Sequence, residues 1–388
     1  MHVRLAMARL APLAAARFVA VAALVATGCA TETSDAESSE DEIRVDTSTR
    51  EARRQYDANV AFATSYVPRC ARPTSRGDRP RVLVTGFGRF MSIRNNATGR
   101  IVSALVPAAE YPETVPPAWG EVDEPGPQLS VAETGLELDG VGEVDVCAMI
   151  LPVHWDLAAI LIAKEAEAFR PTFVLMNGVA GARQPLWLEL GAINRASRST
   201  DGSNQLRPAA PSPESGERYA KLVESAAEDE EAQPNLLSWD AVQRSARDAI
   251  ERHRGEIDEG MAFEDILLGA DYARFPRLSN TYLCNNVTYV TGWLMNHPGR
   301  EVALLQASHP VPEALNEVRV RVDADLSEVP RVFVHWPSDL ADKHHQAGAD
   351  VLRSIIAAQL RATNAGDLPT PGDNALAGPA PQGGGDYF

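Results

Sequence analysis

The stretch that decides the fold runs from Val144 to Ala180. It opens VDVCAMILPV (Val144–Val153), continues past His154 and Trp155 with DLAAILIAKEAEAFR (Asp156–Arg170), and closes TFVLMNGVA (Thr172–Ala180). The outer runs are short, apolar and rich in β-branched residues, the pattern of buried strands. The middle run has helical spacing and strong helix formers, with Asp156 placed as its N-cap. Strand, helix and strand at this spacing predict a parallel sheet with helices on both faces. Upstream, RVLVTGFG (Arg81–Gly88) reads as another buried strand ending in glycines. Downstream, helices are expected near Trp239–His253, Asn285–Asn296 and Asp350–Arg361. Strands are expected near Glu301–Gln306, Glu317–Val322 and Arg331–His335. The expected class is α/β: a three-layer α/β/α sandwich around a mostly parallel sheet.

The composition agrees with a globular core. Of 388 residues, 45% are apolar and 23% charged, which excludes collagen, a coiled coil and a wholly disordered chain. Lys and Arg number 36 against 53 Asp and Glu, so the net charge of −17 repels phosphate backbones and speaks against nucleic acid as a partner.

The N-terminus reads as a targeting segment. His2, Arg4, Arg9 and Arg17 precede the apolar run Phe18–Val25 and then Ala26-Thr27-Gly28-Cys29. This order is that of a secretory signal over 1–28, too short in its apolar part to span a membrane. The last four residues resemble a bacterial lipobox, which makes Cys29 the expected lipidation site. With Ala30 next, the expected location is exported and lipid-anchored, on the outer membrane. Residues 29–69 are expected to form a flexible tether, since 30–50 carry almost no apolar content. The catalytic domain is expected over 70–365, with insertions near 107–128 and 205–263, and a disordered tail over 366–388.

Several chemistries lack their signatures. Gly86-Phe87-Gly88 needs a third glycine where Met91 stands, and no phosphate-binding Gly-Lys-Ser loop occurs, so no nucleotide cofactor is expected. No His-x-x-x-His or Cys-x-x-Cys spacing suggests a metal, and no Gly-x-Ser-x-Gly elbow suggests a serine hydrolase. Cys284 stands directly before a helical pattern, where the positive end of the helix dipole stabilises thiolate. A small buried apolar residue is the other reading of that position. In an exported chain Cys70 and Cys147 can pair, which leaves Cys284 as the free thiol once Cys29 is lipidated; spacing does not fix that pairing.

Five motifs in order resemble those of the pyroglutamyl peptidase I family, cysteine peptidases also called pyrrolidone-carboxylate peptidases. They are Gly86–Phe90 with Asn96-Ala97-Thr98, then Pro152-Val153-His154-Trp155-Asp156, then Gly178–Arg183 with Glu189 and Ala192-Ile193-Asn194, then Cys284-Asn285, then Phe333-Val334-His335-Trp336-Pro337. The resemblance covers about 81–361. Departures are Arg89 in place of Pro, Ala182 of Gly, Leu190 of Arg and Asn286 of His.

The resemblance implies a phosphorylase/hydrolase-like α/β fold and removal of N-terminal pyroglutamate from peptides, without a cofactor. It implies Cys284 as nucleophile, His335 as acid and base, and Glu189 as the orienting carboxylate. His309, in Ala307-Ser308-His309-Pro310, stands nearer the family's usual distance from the cysteine and stays an alternative to His335. Phe87, Phe90, Tyr282 and Leu283 match the walls around the lactam ring, and Arg198 is a candidate oxyanion donor beside the Cys284 N–H. The competing readings are a related amide hydrolase with another substrate and a non-catalytic peptide-binding surface lipoprotein. Oligomeric state is left open.

Overall fold

A computed structural model describes residues 44–70, 79–90, 93–207, 219–254, 263, 267–275 and 281–373. Six helices are used below: α1 (Arg50–Ser65), α2 (Ala97–Leu105), α3 (Leu157–Phe169), α4 (Trp239–Arg252), α5 (Leu283–Asn296) and α6 (His345–Asn364). One nine-stranded sheet holds β1 (Arg81–Phe87), β2 (Ser130–Leu138), β3 (Gly142–Leu151), β4 (Phe173–Ala180) and β5 (Leu186–Glu189). It is completed by β6 (Leu236–Leu237), β7 (Ala270–Ala273), β8 (Arg331–Pro337) and β9 (Thr370–Pro371).

The main path across the sheet is β7-β5-β8-β4-β1-β3-β2. β3, β1, β4 and β8 run parallel, while β2 pairs antiparallel with β3 and β5 antiparallel with β8. β3, α3 and β4 form the strand–helix–strand unit expected of 144–180, with β1 inserted between its two strands. Alternation along each strand sends Val82, Val84, Leu175, Val332 and Val334 into a core with α2, α4 and α6. Leu83, Val174, Met176 and Phe333 enter a second core with α1, α3 and α5. Helices therefore cover both faces, and the class is the mostly parallel three-layer α/β/α sandwich.

α3 is apolar all round over its first two turns (LAAILIA) because it lies between the sheet and α1, and only Lys164, Glu167 and Ala168 near its C-terminal end reach water. Asp156 occupies its N-cap position but makes no capping hydrogen bond to the helix, contrary to the role expected of it. Its carboxylate is used elsewhere, as described below.

Three boundaries differ from those read in the sequence. The tether expected over 29–69 ends before α1, whose Tyr56, Val60 and Ala63 are buried against the rest of the core. Their spacing of four and three residues puts them on one helix face, hidden in sequence by the arginines that precede them, Arg50, Arg53 and Arg54. The tail expected from 366 still contributes β9, which pairs with β6. The stretch 205–263, expected as an insertion, supplies α4, a packed element of the core it shares with α2 and α6. Leu206–Arg207 and Val318–Arg321 belong to small two-stranded sheets outside the main one.

Cys70 and Cys147 form a disulfide that closes 77 residues of sequence and ties the segment after α1 to β3. Beside it the buried Glu165 accepts hydrogen bonds from the Tyr66 hydroxyl, Arg69 N–H and Cys70 N–H. This trio is a grouping of metal-ligating types among the described residues, but both sulfurs are spent in the disulfide. No helix among the described residues is long and apolar enough to cross a membrane. Residues 1–28, Cys29 and 374–388 lie outside the described residues.

Candidate active site

β8 is the centre of the site. It pairs with β4 on one side, where His335 faces Gly178, and with β5 on the other, where His335 faces Trp187. Val332 and Val334 point into one core and Phe333 into the other, so His335 shares the Phe333 face. Leu186 and Leu188 of β5 point to the Val334 side, which puts Glu189 on the His335 side. There His335 Nδ1 lies 2.7 Å from Glu189 Oε1, both side chains 2% exposed.

α5 brings the third residue over this face. Its N-cap is Tyr282, so Cys284 is the second residue of the helix and the free thiol among the described cysteines. The first amide groups of a helix have no partner within it, so the Leu283 and Cys284 N–H groups start the helix as spare donors. The Cys284 side chain lies close enough to His335 to help raise its pKa. Gly178 makes room for this: a Cβ there would stand 2.9 Å from Cys284 Sγ and 2.7 Å from Phe333 Cζ. Only glycine lets the thiol lie on the sheet beside the imidazole.

Burial alone would lower the His335 pKa. The Glu189 carboxylate, and after it Cys284, more than offset that and push it up to about 10. The imidazole is thus held as a cation, with Nδ1 given to Glu189 and Nε2 left for the sulfur side. His309, by contrast, is exposed and bonds the neighbouring Ser308 hydroxyl and, through its backbone, Thr47. The structure therefore brings Glu189, Cys284 and His335 together and leaves His309 outside the group.

The asparagines after the thiol fasten the helix end. Asn285 accepts from Ile193 N–H at 2.9 Å and donates to the carbonyls of Ile193 and Arg195 at 2.9 and 2.8 Å. Asn286 donates to Asp156 Oδ1 at 2.9 Å. Asp156, fully buried with φ 58°, also accepts from Leu305 N–H at 2.9 Å and pairs with the buried Arg207 at 3.0 Å. A strained backbone at that position persists because four contacts from three partners, Asn286, Leu305 and Arg207, hold its side chain and its amide.

The expected wall residues divide. Phe90 and Tyr282 are half-buried with rings 6.1 Å apart, and Tyr282 meets Trp155 edge-on at 5.1 Å. The Tyr282 hydroxyl donates to the Thr200 carbonyl, and burial, with Asp201 and Cys284 near, raises its pKa. Phe87 and Leu283 are 4% and 2% exposed and pack in the core beneath the site. Arg198 is exposed, on a segment running beside Thr281–Tyr282 through the Ser197 N–H bond to the Thr281 carbonyl.

Trp155 and Asp201 complete this wall and were not singled out from sequence. Asp201 accepts from the amides of Trp155, Ser203 and Gln205, and burial raises its pKa to about 6 against those bonds. Arg89, the departure from Pro in the first turn, is buried and paired with Asp123. It ties the proline-rich 107–128 segment to the end of β1, and Gln55 of α1 holds the same Asp123 backbone. Leu190 is fully buried in the opposite core.

No protein-family model matches the chain, and no curated protein does. Solved structures are similar to it at the level of fold. Pyroglutamyl peptidase I of Bacillus amyloliquefaciens is 14% identical, over 73% of this chain and 98% of its own, with a TM-score of 0.43. The pyrrolidone carboxyl peptidase of Thermococcus litoralis is 16% identical, over 75% of this chain and 99% of its own, with a TM-score of 0.44. A mutant pyrrolidone carboxyl peptidase of Pyrococcus furiosus gives 16%, 72% and 98%, with a TM-score of 0.42.

Proposed function

We propose that the chain is a cysteine peptidase that removes N-terminal pyroglutamate from peptides. The observation that carries the hydrolase reading is the buried line Glu189–His335–Cys284 at the start of α5. The substrate rests on the five motifs quoted above. In this reading the Cys284 thiol gives its proton to His335 and its sulfur attacks the lactam-side carbonyl carbon of the scissile amide. The developing oxyanion takes the Cys284 N–H at the helix start. His335 then protonates the departing amine, the carbon–nitrogen bond breaks, and a thioester remains on Cys284. A water, deprotonated by His335, hydrolyses that thioester and restores the thiol. Glu189 keeps the imidazole in one orientation and stabilises its cation. Phe90, Tyr282 and Trp155 form the half-open wall against which a small apolar ring would lie.

The test is hydrolysis of a pyroglutamyl chromogenic amide by the purified chain, with proline and glutamine amides beside it. Cleavage of the first alone supports both parts of the reading. Equal cleavage of the proline amide removes the substrate and keeps the hydrolase, because a site built to bond the lactam carbonyl rejects a ring lacking it. The proposal extends to location: a lipid on Cys29 would hold the enzyme to the bacterial outer membrane. Cys29→Ser should then move it from the membrane fraction to the soluble one.

A further inference from the structure

A cavity of about 450 Å³ lies on the far side of the sheet from Cys284, between α4, α6 and the end of β2. Arg252, Arg353 and Arg361 line it, with the Ser354 hydroxyl among them. In a chain with 53 carboxylates to 36 cations, an arginine ordinarily finds an acidic partner. Arg361 instead spends one nitrogen on the Asp139 carbonyl at 2.7 Å, and Arg252 one nitrogen on Ser354 Oγ at 2.9 Å. Arg353 is half-buried, and its Nε, shut off from water, has no hydrogen-bond partner among the described residues. The carboxylates at the cavity are those of Glu137 and Asp139, both exposed. Asp350, on the Arg353 helix, is engaged by His253 at 3.5 Å. Three guanidiniums against two exposed carboxylates leave a positive site, lined by donors with free hydrogens, on an otherwise acidic molecule.

A guanidinium's fork of terminal nitrogens matches the oxygens of a tetrahedral dianion. The cavity is larger than a bare phosphate ion and has few apolar walls. We propose that it binds a phosphate monoester group, with Arg353 as the central contact and Arg252 and Arg361 closing on either side. The source of that group is a soluble phosphate ester or a lipid headgroup, and the two call for different probes. The site is independent of the peptidase reading, since none of its residues touches Cys284, His335 or Glu189.

Isothermal titration of the full chain with inorganic phosphate at low ionic strength tests it. Saturable binding is expected, weakened about tenfold in Arg353→Gln by loss of a charge-assisted contact, and weakened likewise in Arg361→Gln, an exposed position that spares the fold. Glu137→Gln should tighten binding by removing a like charge. In a second arm, the Cys29→Ser chain is sedimented with phosphatidylcholine vesicles containing phosphatidic acid. Pelleting that Arg353→Gln abolishes supports the lipid source, and phosphate binding without pelleting supports the soluble one. Absence of both, or binding that Arg353→Gln and Arg361→Gln leave unchanged, overturns the proposal. Pyroglutamyl amide hydrolysis should be equal in parent and Arg353→Gln whatever the outcome.

Discussion

The two faces of the sheet are built from the same strands and used differently. On the α2, α4 and α6 side, Val82, Val84, Leu175, Val332 and Val334 meet Ile101, Val102, Ile355 and Ile356, all but excluded from water. On the α1, α3 and α5 side the core is interrupted by Glu189, His335, Asp156 and Arg207, each 2% exposed or less. Burying ions costs desolvation that close pairing only partly returns, whereas apolar burial stabilises at about 25 cal/mol per Å². Adjacent residues of β8, Val334 and His335, thus serve opposite ends: one holds the sheet together and the other spends stability on a poised proton.

Substitutions on the two faces should separate activity from stability. Cys284→Ala replaces one small buried side chain by another, so the fold should persist while turnover of a pyroglutamyl amide falls by at least on the order of 10⁴-fold. Ile355→Ala, on the apolar face, should do the reverse: about 2–5 kcal/mol less stable in denaturant, with kcat of the remaining folded enzyme unchanged. A Cys284→Ala variant that turns over like the parent would end the peptidase reading.

Glu189→Gln probes the ion pair itself. Turnover should fall about 10³-fold, because the imidazole loses the charge that holds its cation. The stability effect carries a sign. The His335 pKa is raised to about 10 in the fold, above the ordinary value of about 6.5. Its stabilisation is therefore complete below about 6.5 and is lost as pH rises through about 10. The gap between parent and Glu189→Gln in denaturant midpoint should shrink over that window. A gap constant from pH 6 to 10 would mean that the pair is not ionic.

Gly178→Ala tests the packing beneath the thiol. The added methyl would stand 2.9 Å from Cys284 Sγ and 2.7 Å from the Phe333 ring. Something must move, and a shift of the sulfur by about 1 Å relative to His335 should cost about 10²-fold in kcat. KM should change less, since the methyl lies under the nucleophile rather than along the Phe90–Tyr282 wall. An unaltered kcat would show that the site tolerates displacement and that the close approach at Gly178 is incidental.

The parallel core was legible from sequence because buried strands such as Val144–Leu151 and Phe173–Ala180 are continuous apolar runs with turn residues at their ends. Glu189, Cys284 and His335 were legible only through their flanking motifs, since the residues lie far apart in the chain and nothing in spacing joins them. α1 escaped because its three buried apolar residues follow a first turn and a half that holds three arginines, Arg50, Arg53 and Arg54, so local charge outweighed the period. β5 and β7 escaped because four residues are too few to show alternation. Asp156 read as an N-cap for the same local reason, while its partners Asn286, Leu305 and Arg207 are 51 to 149 residues away. The Cys70–Cys147 bond, one pairing among several by sequence, follows from a Cα separation of 5.9 Å that only the fold provides.

The smallest expected effect concerns the histidine that sequence spacing favoured. His309 is exposed, in the loop that joins the paired strands Glu301–Leu304 and Val318–Arg321, and its ring bonds only the adjacent Ser308 hydroxyl at 2.9 Å among the contacts described. Its backbone amide, which donates to Thr47 Oγ1, survives any side-chain change. His309→Ala should therefore leave kcat and KM unaltered and shift stability by no more than about 0.5 kcal/mol, the range of ordinary surface substitutions. His335→Ala should lower turnover by orders of magnitude, since both proton transfers run through that ring. The two variants, measured side by side on the pyroglutamyl amide, discriminate sharply. If His309→Ala were inactive and His335→Ala active, the Glu189–His335 pair would be structural, and the base acting on Cys284 would have to come from outside the buried group.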